Sequence, residues 1–103
     1  MALAALVTMT PQPGRRAELE AKLGEVLNEV RKEPGNLLAL VLRDPKNPDK
    51  VYEFAVFQDE AAIEAHQRAE HAVQSTPIMK ALQQWPYAVQ RFETVDWIDE
   101  VDR

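Results

Sequence analysis

The apolar residues of this 103-residue chain follow two patterns. Some form short continuous runs, and others recur every three or four residues, as on one face of a helix. Residues 3–9 are mostly apolar and are followed by Thr10-Pro11-Gln12-Pro13-Gly14, which predicts a buried strand and then a turn. In residues 15–32 apolar side chains recur at steps of three and four, which predicts an amphipathic helix ended by Glu33-Pro34-Gly35. Its buried stripe consists of Leu19, Leu23, Val26, Leu27 and Val30.

The second half of the chain predicts two more strands, a broken helix and a last strand. Residues 36–43 and 51–57 are rich in aliphatic, β-branched and aromatic side chains, and a loop with two prolines joins them. Asp59 is the expected N-cap of a helix, and Ser75-Thr76-Pro77 predicts a fresh helix start with proline at its first position. The apolar positions of these two segments are Ala62, Ile63, Ala69, Ile78, Met79, Leu82 and Trp85, with His66 among them. Pro86 is expected to end the second segment, and residues 88–95 form the last strand.

The predicted order β-α-β-β-α-β is that of an α+β, ferredoxin-like split βαβ fold. Right-handed crossovers place the helices on one face of a four-stranded antiparallel sheet. The second strand is apolar on both sides, with Leu37, Ala39 and Val41 predicted to point one way and Leu38, Leu40 and Leu42 the other. The uncovered face predicts either a second subunit packed sheet to sheet or a tail that folds back over it. We expect one domain over residues 1–95 and an acidic tail, 96–103, whose Trp97 docks on the body or the partner.

Charge and composition argue against several classes of partner and of chemistry. A formal charge of −5 and a pI near 5.0 argue against binding nucleic acid or an anionic membrane. The absence of cysteine excludes disulfides, thiolate nucleophiles and cysteine-ligated zinc. The N-terminal apolar run is short and lacks a basic start, so a cytoplasmic location is expected. The three glycines are far apart, so the usual phosphate-binding loops of nucleotide and flavin sites are not indicated.

Two sets of residues are candidates for chemistry. His66 is either a base towards a phenol or a hydrogen-bonded residue that holds a helix end. His71 follows five residues later, about 140° away around a continuous helix, so we expect no shared metal. A pocket is predicted to be lined by Tyr52, Phe54, Phe57, Met79, Leu82 and Trp85, although the same pattern is typical of a core. Glu53 alternates with Tyr52 and Phe54 and is expected at an interface or in solvent.

Several segments together resemble the antibiotic biosynthesis monooxygenase family. They are Arg31-Lys32-Glu33-Pro34-Gly35-Asn36-Leu37, then Phe57-Gln58-Asp59-Glu60-Ala61-Ala62, and Ala65-His66 followed five residues later by His71. The spacing between these segments also agrees with the family. The resemblance extends over residues 3–95. It implies a dimeric ferredoxin-like barrel with a pocket between each sheet and its helices. The best-known members oxidise phenols, quinols or polyketides with O2 and use no metal, flavin or haem.

The chain departs from that family at three positions. Members often carry an acid two residues before a tryptophan in the third strand, where this chain has Ala55 and Phe57, and a second-strand tyrosine is replaced by Ala39. Haem-degrading relatives use an asparagine in the first strand, and residues 3–9 contain none. We therefore expect a cofactor-independent monooxygenase that acts on a small aromatic or quinol, with His66 as base. The alternative is a dimer that binds a small ligand without chemistry, and haem degradation ranks third.

Overall fold

The computed structural model describes residues 1–96, which form one antiparallel sheet with helices packed on one face. The elements are β1 (Leu3–Pro11), α1 (Arg16–Val30), β2 (Asn36–Leu42), β3 (Val51–Phe57), α2 (Glu60–Arg68), α3 (Glu70–Leu82) and β4 (Gln83–Glu93). The strand order is β2-β3-β1-β4, and each neighbouring pair is antiparallel. This is the ferredoxin-like split βαβ arrangement, so the predicted fold class is confirmed.

The core lies between α1 and the sheet, where the periodicity of the sequence placed it. Leu19, Leu23, Leu27 and Val30 are at most 2% exposed and pack against the helix-facing side chains of β1, β2 and β3. Burying one such side chain stabilises the fold by about 1.5–3 kcal/mol, so this stripe is enough to fix α1 on the sheet. Val26 is only partly buried.

The second helical region breaks at Ala69, six residues before the predicted fresh start at Ser75. Ala69 has an extended backbone (φ −63°, ψ 142°) and separates α2 from α3. Pro77 lies inside α3, where the hydroxyls of Ser75 and Thr76 donate to the Ala72 carbonyl in the preceding turn. The predicted N-cap at the start of α2 is confirmed, because the Asp59 carboxylate accepts from the backbone N–H of Ala62.

The last strand begins at Gln83, five residues earlier than predicted, so Trp85 lies on a strand and not on a helix. Gln83 and Gln84 already pair with Pro11 and Thr10 of β1. The pairing register then shifts between Thr8 and Thr10, and Pro86 falls in this irregular stretch. β4 is an edge strand, where a proline can lie at a position that needs no N–H for strand pairing. Pro86 therefore does not interrupt the strand, and β4 begins earlier than predicted.

The face of the sheet away from the helices is apolar, as predicted, with one correction. The register between β2 and β3 shifts at Asn36 and Leu38, so Leu37 packs with Leu38 on this second face. Ala39 and Val41 face the helices. On the second face Leu40, Leu42 and Phe92 are 38%, 39% and 42% exposed.

Two other expectations concern the docking of the C-terminal tail and the absence of membrane binding. The predicted docking of Trp97 lies outside the described residues. No helix within residues 1–96 is both long enough and apolar enough to cross a membrane.

Candidate functional site

A cavity of about 610 Å³ lies between the sheet and its helices. Its floor is the helix-facing side of the strands, where β3 contributes Glu53, Ala55 and Phe57. Its roof includes His66 of α2 and Met79 of α3. Small-molecule sites in proteins are commonly apolar cavities of roughly 300–1,000 Å³ with few polar groups, so this one is large enough for a single aromatic ligand.

Glu33, in the turn between α1 and β2, holds two histidines from two different helices. Its Oε2 lies 2.9 Å from Nδ1 of His66 and 2.5 Å from Nε2 of His71. The side chains of Glu33, His66 and His71 are 13%, 22% and 26% exposed. The assumption that one continuous helix carries both histidines was wrong, because the break at Ala69 places them on separate helices and both rings contact Glu33.

The turn that carries Glu33 is held close to α2 by Gly35. A Cβ at Gly35 would overlap the Ala62 side chain, so only glycine permits this approach. The carbonyl of Gly35 also accepts from the backbone N–H of Gln58 at the end of β3 (2.9 Å). This tight turn, with Gly35 against α2 and β3, brings the Glu33 carboxylate to His66.

The hydrogen bond to Glu33 selects the tautomer of His66. A carboxylate only accepts hydrogen bonds, so Nδ1 of His66 carries a hydrogen, and in the neutral ring Nε2 then holds the free lone pair. No other group within residues 1–96 bonds to Nε2 of His66, and the ring packs on Phe57 with centroids 5.2 Å apart. His66 thus offers a proton acceptor in the cavity wall.

Glu53 is a second ionisable group in the cavity, and its environment is apolar. In the sheet it lies between Val7 of β1 and Val41 of β2. Burial raises the pKa of the Glu53 carboxyl above its ordinary value, and the charge of His66 opposes that shift in part. When this carboxyl is protonated it can donate a hydrogen bond to an oxygen on a ligand.

β4 forms the side of the cavity at the edge of the sheet. Trp85 and Tyr87 are about half exposed there and meet edge to face, with centroids 4.7 Å apart. Gln83 is 4% exposed, and its Oε1 has no hydrogen-bond donor among residues 1–96. Arg91 bonds Glu60 and so links β4 to the first turn of α2.

The structure brings four of the predicted site residues to the cavity and places three elsewhere. His66, Phe57, Met79 and Trp85 line it. Tyr52 and Phe54 point to the second face of the sheet, and Leu82 is buried in the core. Along a strand, neighbours alternate between faces, so Phe57 and Glu53 share the cavity side and exclude Tyr52 and Phe54 from it. Glu53 is therefore neither in solvent nor at the sheet-to-sheet surface, contrary to expectation.

The site described above includes four residues that were not predicted to belong to it: Glu33, Glu53, His71 and Gln83. The alternation of Val51, Glu53, Ala55 and Phe57 was a usable signal for Glu53, because three of the four are plainly core residues. Gln83 carried no such signal, since its inclusion depends on where β4 begins.

Comparison with known proteins finds one matching family and many solved structures with a similar fold. The family model described as Antibiotic biosynthesis monooxygenase matches residues 2–76. No curated protein matches the chain.

Three solved structures show the range of similarity. PA3566 from Pseudomonas aeruginosa is 26% identical over 92% of this chain and 95% of its own, with a TM-score of 0.83. Rv0793 from Mycobacterium tuberculosis is 20% identical over 94% and 98%, with a TM-score of 0.85. A mutant of SnoaB, a cofactor-independent oxygenase from Streptomyces nogalater, is 15% identical over 95% and 97%, with a TM-score of 0.81.

Glu53 predicts how stability changes with pH. Because its pKa is raised, Glu53 keeps its proton to higher pH in the folded protein than in the unfolded chain, where the carboxyl has its ordinary pKa of 4.5. As pH rises above that value, ionisation costs the folded state free energy, and the loss levels off above the folded pKa. The Glu53→Gln variant should therefore gain stability over the wild type as pH rises, by about 1.4 kcal/mol for each pH unit between the two pKa values.

Urea denaturation from about pH 4 to about pH 8 measures this difference. The control is Glu29→Gln, which alters a carboxylate on α1 whose side chain is 49% exposed. A stability gain in Glu53→Gln that does not change with pH would contradict the placement of this carboxyl in an apolar cavity.

Proposed function

Because the chain belongs to the antibiotic biosynthesis monooxygenase family, as its sequence predicted, we propose that it oxidises a small phenolic or quinol-like aromatic with O2 in this cavity, without flavin or haem. The observation that carries the proposal is the hydrogen bond between Glu33 and Nδ1 of His66. It leaves Nε2 of His66 as a proton acceptor in an apolar cavity. SnoaB, which has a similar fold, is itself a cofactor-independent oxygenase.

The proposed reaction begins with transfer of the phenolic proton to Nε2 of His66. The resulting anion is electron-rich, and its apolar surroundings stabilise it less than water would, which favours transfer of one electron to O2. The radical pair then recombines with formation of a C–O bond, and the resulting peroxide anion takes the proton back from Nε2 of His66. Loss of water from this hydroperoxide breaks the O–O bond and leaves a quinone carbonyl, so one oxygen atom stays in the product and the other leaves as water. Glu33 accepts the hydrogen bond from Nδ1 and so stabilises the imidazolium, while Phe57 packs on the ring and holds its orientation.

A ligand-binding protein without oxygenase chemistry is the second candidate. Ala55 and Phe57 line the cavity where family members often carry an acid and a tryptophan, which favours this alternative. Both candidates require the cavity to take an aromatic ligand, and they differ in whether O2 is consumed.

Substitution of His66 separates the two candidates. His66→Ala should lower oxygen uptake with a panel of naphthols and quinols by about 100- to 10,000-fold, because it removes the proton acceptor, while binding of the same compounds changes little. Glu33→Gln should lower the rate less, since the amide still accepts from Nδ1 but no longer stabilises the imidazolium. Oxygen-electrode rates and fluorescence titration give the two readouts.

The control for these variants is Gln74→Ala, which alters an exposed side chain of α3 outside the cavity and should keep both oxygen uptake and ligand binding. Full oxygen uptake by His66→Ala would contradict the assignment of the base. Ligand binding by the wild type without any oxygen uptake across the panel would favour the binding protein.

We also propose that a second copy of the chain covers the apolar second face of the sheet. Leu40, Leu42 and Phe92 are each more than a third exposed there, around a cluster of Leu38, Phe54 and Val56. Leaving such side chains in water forfeits about 25 cal/mol for each Å² that a partner would bury. Proteins of this family commonly form homodimers.

Leu40→Asp and Leu42→Asp should each convert a dimer to an unstable monomer, because a carboxylate at the centre of an apolar interface loses its hydration. Sedimentation equilibrium at micromolar concentration measures the mass. Ala21→Asp, on the exposed side of α1, is the control and should remain dimeric. A wild-type protein that sediments as a stable monomer would contradict the proposal.

A further inference from the structure

The cluster of Glu33, His66 and His71 is also a donor set for a metal ion. One oxygen of Glu33 and one nitrogen of each histidine all lie within 4.8 Å of one another. Two imidazoles and a carboxylate are ligands preferred by divalent first-row transition ions such as Zn²⁺ and Co²⁺.

Two of the three donor-atom separations are close to those that such an ion requires, and the third, between the two histidine nitrogens, is at most 4.8 Å. Ligand atoms about 2.0–2.1 Å from a metal are separated by roughly 2.9–3.4 Å in common geometries. The 2.9 Å between Nδ1 of His66 and Oε2 of Glu33 already falls in that range. The 2.5 Å between Nε2 of His71 and the same oxygen must lengthen by less than about 1 Å to reach it. The two histidines lie on separate helices, on either side of the break at Ala69, so each ring can adjust separately.

An independent observation at the same place concerns the other oxygen of Glu33. Oε1 is buried and has no hydrogen-bond donor among residues 1–96. A buried carboxylate oxygen without a donor is costly, and a cation beside the carboxylate removes that cost. The partial exposure of all three side chains leaves room for a water molecule as a further ligand.

We propose that Glu33, His66 and His71 bind one divalent transition-metal ion through Nδ1 of His66, Nε2 of His71 and the Glu33 carboxylate. Binding at Nδ1 moves the hydrogen of the neutral His66 ring to Nε2, so that Nε2 no longer accepts a proton. If the proposed oxygenase reaction holds, the metal-bound protein is its inactive form. Binding itself does not depend on that reaction.

Titration of the full chain with Co²⁺ and with Zn²⁺, in the absence of any substrate, tests the site. Co²⁺ should produce visible absorption bands that saturate at one equivalent and disappear on addition of Zn²⁺ or EDTA. His71→Gln and Glu33→Gln should each weaken binding by at least about tenfold, because each removes one of three protein ligands. Glu29→Gln, the exposed carboxylate on α1, is the matched control and should bind as the wild type does.

NMR of the wild type provides a result that does not depend on any variant's folding. The chain contains two histidines, so the ring signals are unambiguous. Zn²⁺ should shift both rings in one step that is complete at one equivalent. The proposal is overturned if Co²⁺ gives no bands, if only one ring shifts, or if a folded Glu33→Gln variant binds with unchanged affinity.

A separate measurement of oxygen uptake distinguishes the site from the proposed reaction. With one equivalent of bound Zn²⁺, oxygen uptake should fall at least about tenfold and recover with EDTA, because Nε2 is no longer a base. Metal binding with no oxygen uptake in either state supports the site and contradicts the reaction. Oxygen uptake that Zn²⁺ does not change, in a protein shown to bind it, contradicts the metal's placement on Nδ1.

Discussion

The cavity depends on one carboxylate, that of Glu33, which receives hydrogen bonds from two helices at once. Each hydrogen bond to a charged group contributes about 1.5–3 kcal/mol, so the pair ties the α1–β2 turn to both α2 and α3. The helix break at Ala69 is what allows this, because a continuous helix would turn the two histidines away from each other. Gly35 provides the close approach of the turn to α2.

The same contact sets the chemistry of the cavity wall. By holding a hydrogen on Nδ1 of His66, Glu33 leaves Nε2 free for a ligand, and Glu33 itself is not among the residues that line the cavity. Most of the side chains that line the cavity are apolar, and its buried polar groups include the Glu53 carboxyl, whose pKa is raised by burial, and Oε1 of Gln83, which has no hydrogen-bond donor among residues 1–96. An aromatic ligand with one or two oxygens matches that balance better than a charged or fully polar one.

The fold could be predicted from the sequence because its signals are local and repeated. The stripe from Leu19 to Val30 specifies α1, and the apolar runs at residues 3–9 and 51–57 specify two adjacent strands. Boundaries were less predictable near proline, because Pro77 was interpreted as a helix start and Pro86 as a helix stop. Pro77 lies inside α3, where its missing N–H costs one helical hydrogen bond without ending the helix, and Pro86 lies inside an edge strand, where a missing N–H is tolerated.

The site was predicted less well because it depends on which face of each strand meets the helices. Aromatic content favoured Tyr52 and Phe54, yet the alternation that includes Phe57 places Glu53 on the cavity side. Glu33 and His71 belong to the site only through a contact between residues 38 positions apart in the chain, which no local pattern encodes. His66 was identified as a candidate base partly because the segment around it resembles the family. Its hydrogen-bond partner, Glu33, was not identified as part of the site.

The most direct test of this account is the tautomer of His66, read from long-range proton–nitrogen correlations of the histidine rings by NMR near pH 8. Neutral His66 should carry its hydrogen on Nδ1 and neutral His71 its hydrogen on Nε2, because both donate to Glu33. In Glu33→Gln the amide oxygen is a weaker acceptor, and the His66 preference for Nδ1 should decrease. Finding His66 in the wild type with its hydrogen on Nε2 would contradict the account, since that nitrogen could then accept no proton from a ligand.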